Sequence, residues 1–64
     1  MVRINGKYET CDNITLAEYL MGTQYDAKRI AVERNGEIVP KSQYNSTILQ
    51  DGDCIEIVSF VGGG

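Results

Sequence analysis

The sequence predicts an α+β domain in which one short helix lies across one face of a mixed sheet of about five strands. Two observations carry this expectation. Asn5-Gly6 and Asn35-Gly36 each sit between short alternating segments, the mark of a hairpin closed by a primed turn. One stretch of helical spacing separates the hairpins, and one more alternating strand follows them. A lone apolar helix stripe has to be buried, and a single sheet is the simplest surface to bury it on.

Taken in order, Val2 to Cys11 alternates apolar and polar residues on both sides of Asn5-Gly6, with Val2 and Ile4 on one face. The helix follows. Thr15 and Glu18 have the spacing of a capping box, with Thr15 accepting from the Glu18 amide and Glu18 reaching back to the Thr15 amide. Ile14 is placed to staple onto Tyr19, the stripe is Leu16, Tyr19 and Leu20, and Gly22 is the expected C′ stop. So short a helix depends on packing its stripe against the sheet.

Ile30 to Arg34 and Glu37 to Val39 flank the second Asn-Gly, and Pro40 ends that hairpin or sets its last strand at a sheet edge. Lys41 to Thr47 reads as a polar loop with Tyr44 tucked beneath it. Asp51-Gly52-Asp53 reads as a turn and not as a paired-carboxylate site. The last strand is expected from Cys54 to Val61, with Ile55 and Ile57 on the aliphatic face and Glu56, Val58 and Phe60 on the other. Outward Val58 and Phe60 have two readings, scattered surface hydrophobes or the centre of a partner-binding patch. With the helix as a crossover, the last strand returns beside the first and parallel to it, which is the β-grasp arrangement.

Composition narrows the function. The 64 residues include no His, and so small a chain has little room for an enclosed active site. Six basic against nine acidic residues give a net charge of −3 with no cationic stripe, which disfavours nucleic acid. No apolar run is long enough to span a bilayer, and Met1 to Lys7 has no signal-peptide core, so a cytoplasmic location and no membrane partner are expected. Cys11 and Cys54 have no CxxC neighbour. On the expected topology they occupy the strands on either side of the first, about 9–10 Å apart, which favours reduced structural thiols over a disulfide. No metal ligand set is present in the sequence.

Gly62, Gly63 and Gly64 follow the final strand, and residues 62–64 are read as a flexible tail on a domain of residues 1–61. By composition, such a tail is a cloning scar, a passive extension or a reactive terminus. A stretch without Cβ atoms can thread a narrow channel, and three residues reach about 10 Å. A face carrying Val58 and Phe60 could then dock while the tail presents a carboxylate.

Several segments carry a resemblance: Ala31 to Pro40 around the second Asn-Gly, the Asp51-Gly52-Asp53 turn, the Leu16 to Leu20 helix, and Ile55 to Val58 running through Phe60 and Val61 into the glycines. Together they make the chain similar to the ThiS family of sulfur carriers of thiamine biosynthesis, in the ubiquitin-like β-grasp superfamily. Many members end in two glycines and this sequence has three, which makes Gly64 the reacting residue and leaves Gly62 to lengthen the tether.

The resemblance implies that the chain is a protein substrate and not an enzyme, with no catalytic residue, metal or cofactor of its own. A ThiF-like adenylyltransferase would use ATP and Mg²⁺ to convert the Gly64 carboxylate to an acyl-adenylate. Sulfur from a cysteine desulfurase relay would give a covalent thiocarboxylate, and a ThiG-like thiazole synthase would accept it. Gly62 and Gly63 would thread the partner's active site, while Glu56, Val58 and Phe60 would form the partner-binding face. The alternatives are a carrier like the small subunit of molybdopterin synthase, a ubiquitin-like protein modifier, or a passive interaction module.

Overall fold

The computed structural model describes residues 1–60, so the expectations that fall on Val61 and on Gly62, Gly63 and Gly64 lie outside it. Five strands and one α-helix follow in the order β1 (Val2–Ile4), β2 (Lys7–Glu9), α1 (Leu16–Met21), β3 (Ile30–Arg34), β4 (Glu37–Ile38) and β5 (Cys54–Ser59). The strands form one mixed sheet of order β2-β1-β5-β3-β4. The last strand therefore lies at the centre, parallel to β1 and antiparallel to β3, as the crossover argument requires.

Both hairpins close as their Asn-Gly pairs dictate. Asn5 and Gly6 have φ of 50° and 84°, and Asn35 and Gly36 have 53° and 89°, the doubly positive φ of a type I′ turn. Side chains from both layers meet in one core, in which Val2, Leu16, Ile30, Val32, Leu49 and Ile55 are fully buried. Ile14 and Tyr19 pack at its margin.

The helix has only six residues, and the loop after β4 completes it. Its first amides would be unpaired in isolation. Here Leu16 N–H donates to the Thr47 carbonyl (2.8 Å) and Ala17 N–H to that of Tyr44 (2.9 Å). Glu18 N–H takes the Thr15 hydroxyl (3.1 Å), the capping bond expected from the sequence, and Tyr19 N–H the Thr15 carbonyl (3.0 Å). The 3₁₀ turn at Lys41–Gln43 aims that loop at the helix, with Tyr44 buried beneath it.

Three local expectations are corrected. Gly22 is the C-cap with a φ of −87°, not a left-handed C′ residue. The helix ends instead through Thr23, whose amide and hydroxyl both donate to the Leu20 carbonyl, at 3.0 and 2.7 Å. β5 stops at Ser59, before Phe60, because its partner β3 begins at Ile30, the residue opposite Ser59. Beyond that pair, Phe60 N–H still donates to the Arg29 carbonyl (2.7 Å), but Arg29 belongs to a 3₁₀ turn at Ala27–Arg29. Cys11 lies just past β2 rather than within it, and both cysteines are free thiols. Desolvation, then the charges of Glu9 and Asp12, push the Cys11 thiol up, which disfavours its thiolate.

Candidate functional site

The outer face of the sheet is set by alternation along β5. Ile55 and Ile57 point into the core, while Glu56 is exposed, Val58 is 58% exposed and Phe60, continuing the alternation past the strand, is 51% exposed. The structure thus brings the three predicted face residues together along one side of the central strand. Val58 stands opposite Ala31 on β3, and Glu56 opposite Glu33.

Two neighbours escaped the sequence reading. Glu33 and Ile38 are paired across β3 and β4, and Ile38 is 65% exposed. The signal was in the second hairpin, because a two-residue Asn-Gly turn fixes Arg34 opposite Glu37 and hence Glu33 opposite Ile38. The face therefore carries apolar Val58, Phe60 and Ile38 around two carboxylates set directly against each other. Like charges in that position oppose folding, and a cation from outside would relieve them.

The start of β5 is held by a buried polar cluster. Asp53 accepts from Arg34 Nε (3.0 Å), Asn35 Nδ2 (3.0 Å) and Gln50 N–H (2.9 Å). Desolvation pushes its carboxyl up, but the bonds from Gln50, Asn35 and Arg34 outweigh that and hold it below the usual carboxylate range. The Asp51 carboxylate instead pairs with the Met1 amino group, so the two aspartates do not converge on one site.

The middle of β5 is held by Asn5. Its Oδ1 accepts from Ile57 N–H (2.7 Å), while its Nδ2 donates to the Ile57 carbonyl and to the Tyr25 hydroxyl, both at 3.2 Å. The Asn5 side chain thereby adds one rung to the parallel ladder after β1 has turned away. No helix among the described residues is long and apolar enough to cross a membrane.

The fold and the sequence both have known counterparts. The model of the ThiS family matches residues 2–64. The sulfur carrier protein ThiS of Bacillus subtilis is 44% identical over 66 residues, covering 100% of both chains. A thiazole synthase of Paramagnetospirillum magneticum is 47% identical over 62 residues, which is 95% of this chain but 19% of that protein's length. Among solved structures, the thiamine biosynthesis protein ThiS from Geobacter metallireducens superposes with a TM-score of 0.81 at 31% identity, covering 98% of this chain and 97% of that one.

Proposed function

The chain belongs to the ThiS family, and from that premise we propose that it is a sulfur carrier of thiamine biosynthesis whose Gly64 carboxylate is the group that is activated and loaded. The observation that carries the reading is the full-length match to a sulfur carrier, with a family match that runs through the glycines. The chain acts as a protein substrate. A ThiF-like adenylyltransferase holding ATP and Mg²⁺ attaches AMP to the carboxylate and releases pyrophosphate. A persulfide fed by a cysteine desulfurase then displaces AMP to form an acyl disulfide, and a thiol reductant cleaves its S–S bond, becoming a disulfide and leaving the thiocarboxylate.

Activation is needed because oxide is a poor leaving group and AMP a good one. The oriented nucleotide and the charge stabilisation come from the partner enzyme. The carried sulfur passes to a thiazole synthase, a partner suggested by the chain's likeness to one segment of such an enzyme. Glu56, Val58 and Phe60 form the docking face in this reading, and Gly62 and Gly63 enter the partner's channel. Glu56 and Glu33 together ask for a basic surface on the partner.

The test is the intact mass of the protein after incubation with ATP, Mg²⁺, the adenylyltransferase and a sulfur source. Replacement of one oxygen by sulfur, located to Gly64 by fragmentation, is the expected result. Gly63→Val and deletion of Gly64 are expected to abolish it while leaving the fold unchanged. Normal loading of either variant would refute the tail assignment, and covalent adducts with lysines of other proteins would mark a modifier instead.

A further inference from the structure

β5 is flanked unequally along its length. On one side β3 accompanies it from Ile55 to Ser59, and Phe60 N–H adds a bond to the Arg29 carbonyl (2.7 Å). On the other side β1 pairs with it at Cys54 and Ile55, and the chain then turns away at Asn5-Gly6. Among the described residues no strand lies beside Glu56 to Ser59 on that side. Exposed Val58 and Phe60 therefore sit on a half-flanked segment, directly ahead of the four residues that end in Gly64.

Asn5 fills the open side. Its backbone N–H donates to the Ile55 carbonyl (2.9 Å), its Oδ1 accepts from Ile57 N–H (2.7 Å) and its Nδ2 donates to the Ile57 carbonyl (3.2 Å). A carboxamide has the donor and acceptor of a peptide group, so this side chain stands in for the residue that β1 lacks. The Tyr25 hydroxyl, at the margin of the core, also accepts from Nδ2 (3.2 Å) and helps to fix the plane of the amide. The turn itself needs only a residue that tolerates a φ of 50°, which glycine and aspartate also do. The carboxamide is thus an addition to the turn, and its target is the strand that leads to the outer face.

We propose that Asn5 is a positioning residue for adenylation: by holding Ile57 it fixes the outer end of β5, so that Val58, Phe60 and the terminal carboxylate meet the adenylyltransferase in one geometry. This role rests on the carrier function proposed above. Asn5 acts through Ile57 and does not touch the reacting group. A strand end held on one side opens more readily than one held on both, and a misplacement of about 1 Å at a reacting group costs up to about 100-fold in rate.

The test begins with Asn5→Gly, which keeps the turn and removes the carboxamide. Asn35→Gly is the control, because Asn35 has the same place in the other hairpin (φ 53°) and its side chain holds Cys54 N–H (2.8 Å) at the start of β5, away from Val58 and Phe60. Two quantities are measured well below every melting point: amide hydrogen exchange, and pyrophosphate release by the adenylyltransferase at varied carrier concentration. Asn5→Gly should speed exchange at Ile57 and Phe60 about tenfold or more relative to Val32 and lower kcat/KM about fivefold or more. Asn35→Gly should leave both at the wild-type value. Asn5→Asp keeps an acceptor for Ile57 N–H, and its kcat/KM should fall between those of wild type and Asn5→Gly. The proposal is overturned by an unchanged kcat/KM in Asn5→Gly, by an equal loss in Asn35→Gly, or by Asn5→Asp performing no better than Asn5→Gly. Should Asn5→Gly not fold, Asn5→Asp against wild type decides, an unchanged kcat/KM again overturning the proposal. A wild-type chain that is not adenylated overturns the carrier function and this role with it, whereas the other adverse outcomes overturn this role alone.

Discussion

Replacing Phe60 by alanine separates docking from folding. A phenylalanine side chain offers about 200 Å² in full, and Phe60 is 51% exposed, so about 100 Å² remains for a partner to cover. At about 25 cal/mol per Å² that area contributes about 2.5 kcal/mol. Ordering the ring costs about 0.5–1.5 kcal/mol and leaves about 1–2 kcal/mol, or about 5- to 30-fold in affinity. The fold should hardly notice, because Phe60 lies outside β5 and outside the core. A change within about 0.5 kcal/mol shifts the melting point by about 2–4 °C in a domain of this size.

The assay is pyrophosphate release by the adenylyltransferase at varied carrier concentration, beside a thermal melt. KM should rise by the stated factor with kcat little changed. An unchanged KM with an unchanged melt would show that no partner seats on this ring. A melt lowered by more than about 8 °C would show that the ring is structural, and the surface argument would fail.

Two more perturbations follow from the same strand. Glu56→Gln removes one of two opposed carboxylates and should raise stability by about 0.2–1 kcal/mol in urea melts, while slowing association with a basic partner at low salt; faster association would contradict the electrostatic reading. Asp53→Ala strands three donors at the start of β5 and should cost about 2–3 kcal/mol at pH 7, the Arg34 share being reduced by water because that side chain is partly exposed. The folded carboxyl sits below its unfolded value, so this stability is present above about pH 4 and fades as pH falls through the folded value; urea midpoints of variant and wild type should therefore converge in acid.

What the sequence made legible was whatever a few neighbouring residues decide. Asn5-Gly6 and Asn35-Gly36 specify their turns through positive φ, and Thr15 caps a helix three residues from its partner amide. The central place of β5 followed from the helix as a crossover, and the inward Ile55 and Ile57 from simple alternation. Distant partners decided the rest. The helix ends at Gly22 without a left-handed turn because the Thr23 hydroxyl takes the Leu20 carbonyl. Its first amides depend on Tyr44 and Thr47, more than 25 positions away. Of the site, Glu56, Val58 and Phe60 were readable from one strand. Glu33 and Ile38 needed the cross-strand register.

The two turn asparagines give β5 a mechanical character. Asn35 Oδ1 takes the Cys54 amide (2.8 Å) and Asn5 clasps both polar groups of Ile57, so side chains brace the strand at its start and its middle in addition to the ladders. β1 and β5 run parallel. Tension applied beyond Phe60 against a hold on Val2 is therefore directed along the strands, and the rungs share the load together instead of opening one after another. An enzyme that grips the chain past Phe60 and pulls meets a strand that resists as a unit, and can strain what lies in its own grasp without peeling the domain apart.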